Sequence, residues 1–177
     1  MIIRTATVGD ENGIYQIAKE LELQNFSHKK SSVGFIVYKK TPRVFLKRIL
    51  LCRNFFVLQA GKQIIGYILA YTRDEMKKLE KDIPYLDSLL QLARGQDFLL
   101  IDHVAVTKKC AGQGLGSKLL RFCLRQNKGK TFLGLILHSP TRNQRSIKFF
   151  KHKHGWYLLK RINLDNMLCG VYASKKI

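Results

Sequence analysis

Apolar and polar residues along this chain follow two periods, and the places where the period changes mark the elements. Ile2-Ile3-Arg4-Thr5-Ala6 reads as a first strand. Asp10 then offers a helix N-cap, and Ile14, Ile17, Ala18 and Leu21 fall at i, i+3, i+4 and i+7, the stripe of an amphipathic helix. Ser31–Tyr38 fits neither period. Thr41-Pro42 sets proline at the first position of a second helix, with Val44, Phe45, Ile49 and Leu50 as its apolar face. Asn54–Gln59 and Gln63–Thr72 read as two strands joined by a turn at Gly61, a hairpin. Asp74–Ala93 has helical character broken near Pro84, where proline removes a backbone donor.

Phe98–Val106 is a β-rich run that ends in a glycine-rich loop. A helix runs from Leu115 to about Gln126, with Leu119, Leu120 and Cys123 as its apolar face. Thr131–Leu137 is a further strand, Asn143–Lys151 a helix, and Trp156–Lys160 and Met167–Ala173 are closing strands. The order β-α-α-β-β-α-β-α-β-α-β-β predicts one α/β domain over residues 1–177, built on a mixed sheet. A chain of 177 residues can bury a core without disulfide or metal staples.

Composition narrows the class. No uncharged run approaches the roughly eighteen residues that span a bilayer, and Asp10 and Glu11 stand where a secretory signal would have its apolar core. No membrane association is expected. Cys52, Cys110, Cys123 and Cys169 lie far apart, without CxxC or Cys/His ligand spacing. That argues against structural zinc and a disulfide framework, gives no metal site, and points to a reducing cytoplasm. The 32 Lys and Arg against 12 Asp and Glu give a net charge of +20. Such an excess attracts any polyanion. The positive residues are spread over the chain, with no single dense tail, so a well-solvated lysine-rich surface is preferred to a dedicated nucleic-acid surface. Charge alone assigns no function.

The chemistry is carried by Ile101-Asp102-His103-Val104-Ala105-Val106-Thr107-Lys108-Lys109-Cys110-Ala111-Gly112-Gln113-Gly114-Leu115-Gly116-Ser117-Lys118. A strand ends, glycines follow at every second position, and a helix opens. Glycines let backbone approach a ligand, and the helix start adds unpaired N–H groups with a partial positive charge. Together these make a pyrophosphate cradle. The spacing G-x-G-x-G differs from the dinucleotide fingerprint, and Gly116-Ser117-Lys118 differs from the Gly-Lys-Ser/Thr of a P-loop.

The segment resembles the acetyl-coenzyme A motif of the GNAT superfamily of N-acetyltransferases: an apolar-Ala-Val strand end, then Arg/Gln-x-x-Gly-x-Gly/Ala opening a helix. Val104-Ala105-Val106 and Ala111–Gly116 match in order and spacing. Pro140 to Trp156 looks like the family's second signature, with Asn143, then Ser146, the pair Phe149–Phe150, and Gly155-Trp156 opening the next strand. Three positions depart. Ala111 stands where the family has Arg or Gln, Phe150 where it often has a tyrosine acid, and one extra residue precedes Gly155.

The resemblance implies a mixed central sheet with splayed parallel strands and flanking helices, and acetyl transfer from acetyl-coenzyme A to a primary amine by direct attack. The Val104 amide would face the acetyl carbonyl, and Val106, next to Ala105, would hold the pantetheine. Backbone from Gly112 through Gln113, Gly114, Leu115 and Gly116 to Ser117 would bind the pyrophosphate, with Lys108, Lys109 or Lys118 standing in for the missing residue at Ala111. Asn143, Ser146, Phe149 and Phe150 would line the other wall. Asp102 is the candidate base, set against the alternative of a carboxylate paired to one of the many lysines. Because side chains alternate, only one of Asp102 and His103 is expected to face the acceptor, and His103 reads as a satisfied core histidine. His152 and His154 read as a solvated helix end. The acceptor itself is not encoded in any motif. Two rival readings keep the basic fold: a coenzyme A-binding module without catalysis, and a nucleic-acid- or ribosome-associated protein that uses its positive surface. An acceptor screen separates the first rival, and salt-dependent binding the second.

Overall fold

The computed structural model describes residues 1–23, 34–37, 40–79, 91, 97–164 and 166–174. Seven strands form one mixed sheet in the order β1-β2-β3-β4-β5-β7-β6: β1 Ile2–Thr5, β2 Asn54–Ala60, β3 Gln63–Thr72, β4 Phe98–Val106, β5 Thr131–Ser139, β6 Tyr157–Leu164 and β7 Met167–Ala173. The helices are α1 Glu11–Glu20, α2 Pro42–Leu51, α3 Arg73–Lys78, α4 Leu115–Gln126 and the single turn α5 Gln144–Ile147, which runs on as a π-turn over Lys148–Lys153. The chain divides into two compact units.

The first unit comprises Met1–Asn25, Ile36–Ala70 and Asp102–Lys128. β1 and β3 flank β2 in antiparallel register, with Ile3 opposite Leu58 and Val57 opposite Tyr67. The expected faces of α1 and α4 are inside: Ile14, Ile17 and Ala18 on one, Leu119, Leu120 and Cys123 on the other. Asp10 occupies the N-cap position of α1, yet its carboxylate makes no cap bond. It instead accepts two bonds from the Arg4 guanidinium, at 2.6 and 2.9 Å, and one from the Thr7 amide. A charge-assisted fork outcompetes a single amide bond. Of the apolar face expected of α2, Phe45 is buried and Val44 and Ile49 are half-buried, and the structure corrects the last member. Leu50 is 67% exposed, while Phe45 and Arg48 are the buried residues, i and i+3 on one side of the helix.

The second unit comprises Phe26–Phe35, Tyr71–Ile101 and Gly129–Ile177. The first residues of β4 pair in parallel with β5, Phe98 against Thr131 through Ile101 against Gly134. β7 lies antiparallel between β5 and β6. The helix expected over Asp74–Ala93 is observed as α3, begun by a Thr72–Glu75 capping box. Its continuation through Pro84 lies outside the described residues, as do Ser31, Ser32, Val33 and Tyr38 of the segment that fitted neither period. The helix expected over Asn143–Lys151 widens after one turn into the π segment.

Candidate active site

In the first unit the strand end, the loop and the helix start are consecutive and well defined. Thr107 donates its amide to the Ile65 carbonyl at 2.9 Å, tying the end of β4 to β3. A 3-10 turn, Lys108–Cys110, follows, and Ala111 then extends into the glycine loop. Gly112 and Gly114 have φ of 84° and 78°, the left-handed region that a Cβ disfavours. A Cβ built on either one meets nothing within 4 Å, so dihedral angle and not crowding requires glycine here. Gly114 is the N-cap of α4 and provides no side-chain cap. Lys118 is the first amide to bond back, to the Gly114 carbonyl at 3.0 Å. The amides of Leu115 and Gly116 lie in the first turn of α4, ahead of that bond. Ala111, Gly112 and Gln113 are exposed, as are the flanking Lys108, Lys109 and Lys118. The Gln113 side chain folds back to donate to the Lys109 carbonyl at 3.3 Å.

Upstream on β4, Val104 and Val106 are half-buried and Ala105 is buried. Asp102 forms an ion pair with Lys40, Nζ to Oδ2 at 3.1 Å, with both side chains about nine-tenths buried. Lys40 also reaches His103 Nε2 at 3.3 Å, and the Tyr67 hydroxyl lies 2.8 Å from His103 Nδ1. An ammonium only donates, so Nε2 is the acceptor and the imidazole proton sits on Nδ1, directed at the Tyr67 oxygen. Burial first, then the Lys40 and Arg48 cations, lower His103 to about 3. Burial, followed by the Asp102 charge, pushes Tyr67 well above its ordinary value. His103 is thus a neutral, hydrogen-bonded core histidine.

Strand alternation led to the expectation that Asp102 and His103 would serve different faces. Their polar tips are in fact 4.0 Å apart and share Lys40. Alternation fixes where Cβ atoms point, and long side chains curl beyond it. Sequence reasoning missed Lys40 and Tyr67 because no motif links them to β4. Only the fold brings Lys40 to Asp102, 62 positions further along the chain.

In the second unit Asn143 is buried and occupied at both ends of its amide. Its Oδ1 accepts from the Ser146 amide at 3.2 Å, capping α5, and its Nδ2 donates to the Phe35 carbonyl at 3.0 Å. Ser146 is half-buried. Phe149 packs edge-on against Phe150 and against His154, with ring centroids 5.0 and 4.7 Å apart. Phe150 is buried against Trp156 at 4.7 Å, and its para carbon lies 4.0 Å from where a Gly134 Cβ would stand. His152 and Tyr157 are exposed. The sequence-derived residues therefore fall into two sets, strand and loop in one unit and Asn143 to Phe150 in the other.

Among the described residues no group of three or more His, Cys, Asp or Glu is placed to hold a metal. No helix among them is long and apolar enough to cross a membrane.

Comparison with known proteins places this geometry. No curated protein matches the sequence. Solved structures of low identity share the fold. A GNAT-family acetyltransferase from Streptococcus agalactiae superposes with a TM-score of 0.70 at 14% identity, over 99% of this chain and 95% of the other. An N-acetyltransferase from Staphylococcus aureus gives 0.62 at 20%, over 98% and 100%. Arabidopsis thaliana Naa50, solved with the bisubstrate analogue CoA-Ac-MVNAL, gives 0.64 at 14%, over 98% and 97%. The family model described as Acetyltransferase (GNAT) family matches residues 15–156, most of the chain including β4, the glycine loop and Asn143 to Trp156. The chain belongs to the GNAT acetyltransferase family.

Proposed function

We propose that this member of an acetyl-transferring family is an N-acetyltransferase that moves the acetyl group of acetyl-coenzyme A to a primary amine. The observation that carries the reading is the loop of Gly112 and Gly114, whose left-handed backbone, open where a Cβ would stand, leads directly into the start of α4. The loop fits a pyrophosphate. A Cβ at either glycine would project into the open space, α4 begins there with the partial positive charge of a helix start, and three exposed lysines add more. Ala111 offers no side-chain contact to a phosphate, so the lysines and amides take that share.

Bound acetyl-coenzyme A supplies an activated thioester. The residues of this chain supply the rest. The Val104 amide is assigned to polarise the acetyl carbonyl, as a fixed donor where negative charge develops. Val106 is assigned to hold the pantetheine arm. An amine attacks only when neutral, so Asp102 is assigned to accept its proton, directly or through water, with Lys40 fixing the carboxylate from 3.1 Å. Phe150 has no proton to give, and its para carbon faces Gly134. In this reading no general acid acts from that position.

The test is cofactor binding followed by turnover. Acetyl-coenzyme A should raise the melting temperature by mass action, and Gly114→Glu should abolish the rise by placing bulk and negative charge in the cradle. Thiol release should then be read over amino acids, aminoglycosides, polyamines and peptide N-termini. Absence of any shift in the parent at millimolar cofactor would end the reading. A shift without turnover on any amine would leave a coenzyme A-binding module in its place.

A further inference from the structure

A second cluster lies wholly within the second unit, on the face of β5, β7 and β6. Gly170 on β7 is the cross-strand partner of both Ile136 on β5 and Arg161 on β6. A Cβ at Gly170 would stand 2.7 Å from His138 Nε2 and 2.9 Å from the Tyr172 ring. The bare glycine is therefore what lets the His138 imidazole lie flat over the sheet and meet the Tyr172 hydroxyl at 3.1 Å. Cross-strand partners project to the same face, so Arg161 rises beside that pair. Arg142 follows β5 in the loop that the Asn143 amide pins to the Leu137 carbonyl at 2.9 Å.

The charges around this cluster are one-sided. Between Thr131 and Leu164 the sequence holds seven Lys or Arg and no Asp or Glu. Arg142 and Arg161 are exposed. Both guanidiniums act on the imidazole and on the phenol: burial lowers His138, the two arginines lower it further, and burial raises Tyr172 against their pull. Two guanidiniums thus act on a neutral His–Tyr pair that is itself able to donate. Guanidinium geometry matches planar or tetrahedral oxyanions.

We infer that His138, Arg142, Arg161 and Tyr172 form a binding site for a small oxyanion, a carboxylate or a phosphate, on the β5–β7–β6 face.

The experiment titrates the full chain with inorganic phosphate and, separately, with acetate at low ionic strength. Melting temperature and the imidazole resonance of His138, assigned with His138→Gln, are the readouts. Saturable binding is expected in the parent, and Arg142→Gln/Arg161→Gln should weaken it about ten-fold or more, the scale of a lost charge-assisted bond. The control Lys148→Gln/Lys151→Gln removes the same charge from the same unit and should leave affinity within about two-fold. Preference for phosphate or for acetate tells which oxyanion the site takes. Equal weakening by both variants, or no saturation, would reduce the cluster to diffuse charge and overturn the site. Loss of coenzyme A binding in the arginine variant would give the guanidiniums to the cofactor and overturn a separate oxyanion site. Oxyanion binding in a protein that ignores acetyl-coenzyme A would leave the site standing and remove the acetyl-transfer reading.

Discussion

Two regions of this molecule treat positive charge in opposite ways. In the first unit cations are matched within the protein: Arg4 on β1 forks onto Asp10, and Lys40 beside β4 is shared between Asp102 and His103. Along β5 to β6 in the second unit, no acidic residue occurs between Thr131 and Leu164 to match seven basic ones. An overall charge of +20 conceals this division. Buried, paired charges fix a backbone in place, whereas exposed ones in a stretch without acids favour an anionic ligand. The first region also presents its candidate site through backbone, at Gly112 and Gly114, and the second through side chains.

The comparison breaks hardest at Lys40. Lys40→Met should cost about 3 kcal/mol or more, because it leaves the nearly buried Asp102 carboxylate without its ammonium. Urea unfolding of that variant and of Lys40→Met/Asp102→Asn measures the coupling, and the double variant should recover part of the loss. If the single change costs less than about 0.5 kcal/mol, the pair is not structural.

Acid is the next probe. Folded His103 takes a proton only near pH 3, and the unfolded imidazole near 6.5. Between these values the unfolded chain binds more protons, so stability rises with pH and is lost as pH falls from about 6.5 toward 3. The lowered Asp10 carboxyl works in the same direction at the acid end. Between pH 7 and 5 the His103 contribution should fall by about 2 kcal/mol. His103→Asn should flatten the slope of unfolding free energy against pH in this window, and an unchanged slope would mean that His103 titrates normally.

Phe150→Tyr gives a smaller effect. Its hydroxyl would extend from a para carbon that already lies close over Gly134, beside Trp156. Burying it without a partner costs about 1–2 kcal/mol, and turnover should not rise. A faster enzyme would show that the phenol reaches the reacting thiol after all. The smallest change is expected at Arg161, where Arg161→Gln should move stability by less than about 0.5 kcal/mol, as an exposed cation with no matching carboxylate in its segment. A loss comparable with that of Lys40→Met would erase the distinction between the regions.

Much of this protein was determined by local sequence. The amphipathic stripe of Ile14, Ile17 and Ala18, the proline start of α2 and the hairpin at Gly61 are short-range patterns, and each element stands within a few residues of its expected place. The glycine loop was legible for the same reason, since positive φ at Gly112 and Gly114 is a property of those residues and the helix they open. Tertiary structure alone decided the rest. Arg48 is buried and Leu50 exposed on a helix whose pattern suggested otherwise. Asp10 gave up its cap to Arg4, Lys40 found Asp102 from far along the chain, and His138 met Tyr172 because Gly170 between them carries no side chain. Backbone conformation answers to neighbours three or four positions away. The partner of a charged or polar side chain is whatever the finished sheet sets beside it, at any separation, and that choice is made by long-range burial and pairing, which sequence period does not record.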